Sequence, residues 1–98
     1  MEYIIIQSPS ESALDIILRR ASKKIDKDTK THAVGLIQGR LIDMVVAADI
    51  AEKCANVNVC DVKGTCPQNM IMLAILGDTS AVHNAINAVK KARGDGNA

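Results

Sequence analysis

The chain has 98 residues, a formal net charge of +1 and 48% hydrophobic residues, with Tyr3 its only aromatic side chain. That length supports one domain with a single core of Ile, Val, Leu, Met and Ala, small enough to gain from oligomerisation. The near-neutral charge gives no electrostatic case for nucleic acid or an anionic membrane, and no apolar run approaches the roughly 20 residues that span a bilayer.

Met1-Glu2-Tyr3-Ile4-Ile5-Ile6 lacks the basic leader and the long apolar stretch of a signal peptide, so the three cysteines read as reduced thiols in the cytoplasm. Tyr3 to Gln7 is β-branched and aromatic and is ended by Ser8-Pro9-Ser10, which predicts a short strand. Ser10 reads as the N-cap of a helix carrying Ala13, Leu14, Ile17, Leu18 and Ala21 at helical spacing. Lys23 to Thr31 is polar, and its basic residues, interrupted by Asp26 and Asp28, read as a solvated linker.

Ala33 to Gln38 predicts a second strand, continuous enough to be central, and Leu41 to Ala55 a second helix. Val57–Val62 and Met70–Leu76 then read as an antiparallel strand pair. After Gly77-Asp78, Thr79 or Ser80 is expected to cap a last helix with Val82, Ala85, Ile86 and Val89 on one face. Lys90, Lys91 and Arg93 suit its C-terminal end, and the final residues should fray. The order β-α, linker, β-α-β-β-α describes an α/β sandwich, with a four-stranded sheet and helices packed on one face. Residues 1–22 form the first strand and helix, 23–32 the joining loop, 33–92 the core and 93–98 a flexible tail.

Between the paired strands lies Gly64-Thr65-Cys66-Pro67-Gln68. Gly64 permits a turn and Pro67 has no N–H for a ladder, so the loop stands clear of the sheet with the Cys66 thiol outward. Exposed thiols oxidise and cross-link, which makes one without a use a liability. One cysteine makes a poor metal site, but several chains meeting at an axis supply several ligands. Cys54, on the apolar side of the second helix, and Cys60, inside a strand, read as core fillers. His32 and His83 are isolated in sequence and read as solvent-facing, so a Cys–His nucleophile has no base and no catalytic residue is expected.

Val34-Gly35-Leu36-Ile37, then Ala47-Ala48-Asp49, Lys53 and Ala55-Asn56-Val57, resembles the first half of bacterial microcompartment shell domains. Gly77-Asp78, followed by Ala81-Val82 and a helix, resembles their second half. The likeness covers roughly residues 33 to 92. The family's usual order places a strand, a proline-containing segment and a short helix last; here Ile4–Pro9 and its helix come first. The resemblance therefore implies a circularly permuted shell domain.

The Gly-Thr-Cys-Pro-Gln loop is similar to that of the U-type branch from glycyl-radical propanediol microcompartments, a branch associated with an iron–sulfur cluster. By that resemblance, residues 64–68 line the central pore of a cyclic homohexamer and Cys66 ligates a cluster, a [4Fe–4S] centre shared between subunits. Asp49 is implied in fixing chain-to-chain packing and Lys53 in the edge through which hexamers tile. The family's edge arginine is replaced around Ser8, which implies a hexamer fitted among other shell proteins and enclosing enzymes. The implied function is a non-enzymatic subunit of the microcompartment shell, carrying electrons across it, storing a cluster or sensing redox state. Two rivals stand beside it: a ferredoxin-like regulatory module that binds a small ligand without a cluster, and a thiol-dependent enzyme.

Overall fold

A computed structural model of the chain describes residues 1–22, 31–64 and 70–94. Residues 23–30 of the joining loop, 65–69 and 95–98 lie outside the described residues. The elements follow the expected order: β1 (Glu2–Gln7), α1 (Glu11–Arg20), β2 (Ala33–Arg40), α2 (Leu41–Cys54), β3 (Asn58–Val62), β4 (Met70–Gly77) and α3 (Thr79–Arg93). Every pairing is antiparallel, in the order β1-β2-β4-β3. β1 runs along β2 from Glu2 opposite Gln38 to Gln7 opposite Ala33, so the apolar N-terminal strand joins the sheet.

The sheet is covered on both faces, which corrects the expectation of helices on one. Successive strand residues point to opposite sides. Ala33, Ile37, Val59, Leu73 and Ile75 share one core with Met44, Ala47 and Ala51 of α2 and Val82, Ala85, Ile86 and Val89 of α3. Val34, Cys60, Val62, Ala74 and Leu76 form a second core on the other side with Ile17 of α1. The segment after α1 is tied to the outer edge of β3: the Ser22 N–H donates to the Asp61 carbonyl (3.0 Å) and the Lys63 N–H to the Arg20 carbonyl (2.7 Å). That attachment holds α1 across the second face.

Without large aromatics, close approach has to come from small residues. At Gly35 a Cβ would sit 2.9 Å from Ile86 Cδ1, so α3 rests directly on the backbone of β2. Ala47, Ala51 and Ala85 are fully buried where α2 and α3 belong to the same cluster. The Arg93 guanidinium meets Asp43 at 2.7 Å, joining the last turn of α3 to the first turn of α2. Each charge also opposes the dipole of its own helix end.

Of three further expectations, one holds and two change. Ser10 caps α1 as predicted, its Oγ accepting from the Ala13 N–H at 3.2 Å. The N-cap of α3, however, is Asp78 rather than Thr79 or Ser80, and its carboxylate turns to His32. Arg93 belongs to α3, not to a tail, and Gly94 closes the helix at φ +78°, its N–H bonded to the Lys91 carbonyl (3.2 Å). Such a left-handed terminal residue favours glycine.

Candidate functional site

The β3–β4 connection is fixed by its two stems. Val62 pairs with Met72 on one side, and Met70 pairs with Arg40 on the other. Lys63 and Gly64 continue from β3 and are exposed. The connection therefore leaves the end of the sheet where β2 gives way to α2. Thr65, Cys66, Pro67 and Gln68, which carry the expected chemistry, lie outside the described residues, and only Gly64 of the loop is placed.

The surface around these stems is apolar. Leu41, Ile42, Val45 and Val46 form the first two turns of α2 and are 50%, 71%, 62% and 47% exposed, while Met44 and Ala47 of the same turns are buried. Apolar side chains thus ring α2 rather than forming a single stripe. A cavity of about 420 Å³ runs beside this helix, lined in part by Leu41, Val45, Ala48, Asp49 and Ile71. On the opposite face a larger groove of about 610 Å³ lies between α1 and the loop stems, where Ile16, Leu36, Met70 and Met72 meet Arg20 and Lys63.

The other two cysteines differ from each other. Cys60 is 4% exposed within β3, as expected of a core residue. Cys54 is exposed, which corrects its assignment to the core: it ends α2 with Sγ 3.7 Å from the Ala51 carbonyl and 3.9 Å from the Asn84 carbonyl. The α2 residues that face the core are Met44, Ala47 and Ala51, and Cys54 is the last residue of the helix. Lys53 projects from the same turn, 75% exposed, and pairs with Asp49 one turn earlier (Nζ–Oδ2 3.0 Å). The two residues expected at a subunit edge are thus brought together.

The histidines are not isolated. His32 Nδ1 lies 3.0 Å from Asp78 Oδ1, and His83 Nε2 lies 3.2 Å from Gln7 Nε2. Both sit at the end of the sheet opposite the loop stems, where Ala33 pairs with Gly77. The eight residues of β4 separate the ends by roughly 20 Å. Neither imidazole is placed to activate a thiol at the Gly64–Met70 end. Among the described residues no group of three or more His, Cys, Asp or Glu side chains is arranged to hold a metal ion. No helix among them is long and apolar enough to cross a membrane.

Comparisons with known proteins agree with this architecture. The BMC domain family model matches residues 33–97. The structure of the GrpU microcompartment shell protein from Clostridiales bacterium 1_7_47FAA is similar at a TM-score of 0.76 and 44% identity, covering 98% of this chain and 95% of that one. The GrpU shell protein of Pectobacterium wasabiae gives 0.72 and 28%, covering 91% and 99%. A fused permuted hexameric shell protein from the RMM microcompartment shares the fold at 0.74, with 19% identity over 95% of this chain and 45% of that one. No curated protein sequence matched significantly. The chain belongs to the bacterial microcompartment (BMC) domain family, as a structural shell protein and not an enzyme.

Proposed function

We propose that this shell protein works as a cyclic homohexamer in which the Gly64–Gln68 loops surround the axis and Cys66 thiolates hold an iron–sulfur cluster. The observation that carries the reading is the position of the loop stems. They leave the sheet beside the exposed Leu41, Ile42, Val45 and Val46, so a ring that buries this apolar end brings the loops of neighbouring copies together. Cyclic symmetry then multiplies one thiol per chain into a ligand set. The donor inventory supports Cys66 as that thiol. Cys60 is enclosed in the core, and Cys54 lies with Lys53 at the far end of α2 from the stems. A [4Fe–4S] centre takes four thiolates, so six equivalent loops would engage it unequally. Such a centre supplies one-electron redox capacity.

Lys53, paired with Asp49 on an exposed turn, suits an edge that meets other shell proteins around enclosed enzymes in a cytoplasmic microcompartment. A circularly permuted origin is supported by the contact between α3 and β1. The Lys90 ammonium in the last turns of α3 sits 5.2 Å from the ring of Tyr3 in β1, so a short connection spans from one to the other. Family membership argues against the regulatory module and the thiol enzyme.

The test is anaerobic purification followed by native mass, iron and sulfide content and a visible absorption spectrum. A hexamer carrying iron and sulfide is expected. A monodisperse monomer at micromolar concentration would overturn the ring, and a colourless hexamer after reconstitution with iron and sulfide would overturn the cluster.

A further inference from the structure

The groove of about 610 Å³ beside α1 changes from cationic to apolar along its length. Arg20 and Lys63 stand opposite each other across the Ala21–Val62 bridge, joined by the Lys63 N–H to Arg20 carbonyl bond (2.7 Å), and both line the β3 margin of the groove. Like charges set opposite one another repel unless an anion lies between them. Arg19 does not join them, because its Nε turns back to the Asp15 carbonyl (3.3 Å). Among the described residues neither Arg20 nor Lys63 is ion-paired. Asp61 also lines the groove, so two cations and one carboxylate leave it with a single net positive charge. Beyond this margin the floor is apolar. Val62 pairs with Met72, and Met72 with Gln38, so the groove crosses from β3 over β4 to β2, a span of roughly 10 Å. Leu36, Met70 and Met72 form that floor, and Ile16 of α1, 51% exposed, stands beside it.

We propose that this groove binds a small amphiphilic anion, an apolar chain that ends in one carboxylate. The carboxylate lies between the Arg20 guanidinium and the Lys63 ammonium, and the chain runs over Met72 and Leu36 against Ile16. Charge complementarity selects the head group. A carboxylate accepts two parallel N–H bonds from a guanidinium and cancels the net charge of the lining, whereas a neutral chain leaves the two cations opposed. The methionines suit the tail, since their flexible, polarizable side chains adapt to apolar ligands of varied shape. The volume falls within the range of about 300–1,000 Å³ that encloses small ligands. All of these residues belong to one chain, so the site does not depend on the ring or on the cluster.

Octanoate is the probe for the full chain, with octanol as the neutral control and acetate as the control without a tail. Titration calorimetry should show saturable binding of octanoate, about tenfold tighter than octanol, and none of acetate at the same concentrations. Isotope-labelled methionine methyl groups locate the ligand, because Met70 and Met72 line this groove and Met44 lines the cavity beside α2. Nuclear magnetic resonance shifts should appear at Met70 and Met72 and not at Met44. Arg20→Gln and Lys63→Gln should each weaken octanoate about threefold and leave octanol unchanged, while Asp61→Asn should strengthen octanoate by a similar factor. No saturable binding, equal affinity for octanol, shifts at Met44 in place of Met70 and Met72, or charge variants that bind octanoate like the wild type would each overturn the proposal.

Discussion

Cys54 and Cys60 lie six residues apart on consecutive elements, yet one thiol meets solvent and the other a packed core. Alkylation reports that difference directly, because the thiolate needs access as well as deprotonation. Under native conditions Cys54 should label readily and Cys60 only after denaturant is added, as read by peptide mass spectrometry. Equal labelling rates would contradict the packing of β3. Cys66 adds a second reading of the same experiment. If it ligates the cluster, it should resist alkylation in the loaded assembly and react once iron is removed. Cys66→Ser should abolish iron binding with the native mass unchanged, since no surface assigned to the ring depends on that thiol. Iron retained by Cys66→Ser would end the cluster proposal. At Gly35 the limit is steric rather than chemical. The new methyl group of Gly35→Ala would press on Ile86 Cδ1 at 2.9 Å and Val82 Cγ1 at 3.2 Å. A loss of about 1–3 kcal/mol in urea unfolding is expected, as for other overpacked cores. Ile86→Val removes the closest atom, so adding it to Gly35→Ala should recover part of the loss.

Among the elements, α2 is the one whose surface is least suited to an isolated subunit. A polar change at Val45, 62% exposed, removes little buried area. Val45→Asp should therefore alter folding stability by no more than about 0.5 kcal/mol, the usual range for exposed positions. If α2 forms the ring contact, the same substitution should nevertheless reduce the native mass to that of a single subunit. An unchanged hexamer would move the ring contact elsewhere. The existence and order of all seven elements were legible in the sequence, because Gly, Pro and Ser punctuation separates runs of clear period. The two-sided cover was missed, although Met70–Leu76 carried a sign of it. That run does not alternate, and a strand without alternation is buried on both faces. The α3 cap was misread because sequence preference favours Thr, Ser and Asp alike. Cys54 was misread because α2 is apolar almost all round, so spacing alone did not reveal which side met the sheet. The candidate loop stands out in the sequence through Cys66 beside Pro67, and Cys66 lies outside the described residues. A ligand set shared between chains, as proposed, would leave one residue in each.

At the scale of the whole molecule, the proposed permutation turns on where β1 and the end of α3 lie. β1 lies at the edge of the sheet beside β2, and the last turns of α3 bring Lys90 over Tyr3. Gly94 and Glu2 thus belong to one region of the surface. The joining segment after Ser22, polar in sequence, is a natural place for new ends, as polar connections between elements usually tolerate cutting. A chain rearranged to begin at Thr31, run through Gly94, cross a short Gly/Ser linker to Glu2 and finish at Ser22 keeps every described strand pair and both cores. It would have the order that the family ordinarily shows. Two loops change, and loop closure depends only weakly on length, each doubling costing about 0.6 kcal/mol. The rearranged chain should therefore fold with the same circular dichroism and lose no more than about 2 kcal/mol in denaturant unfolding, an allowance for loop closure and two new frayed ends. It should also reach the same native mass, because Leu41–Val46 and the loop stems remain in place. Simple truncation provides the contrast. Removing residues 1–22 exposes the edge of β2 and uncovers Val34, Cys60, Val62, Ala74 and Leu76, which Ile17 and its neighbours now shield. That shortened chain should aggregate or fail to fold, since an unprotected apolar edge strand invites pairing with other chains. A folded truncation beside an unfolded rearrangement would mean that β1 and α1 are an appendage, and the permuted origin would be wrong.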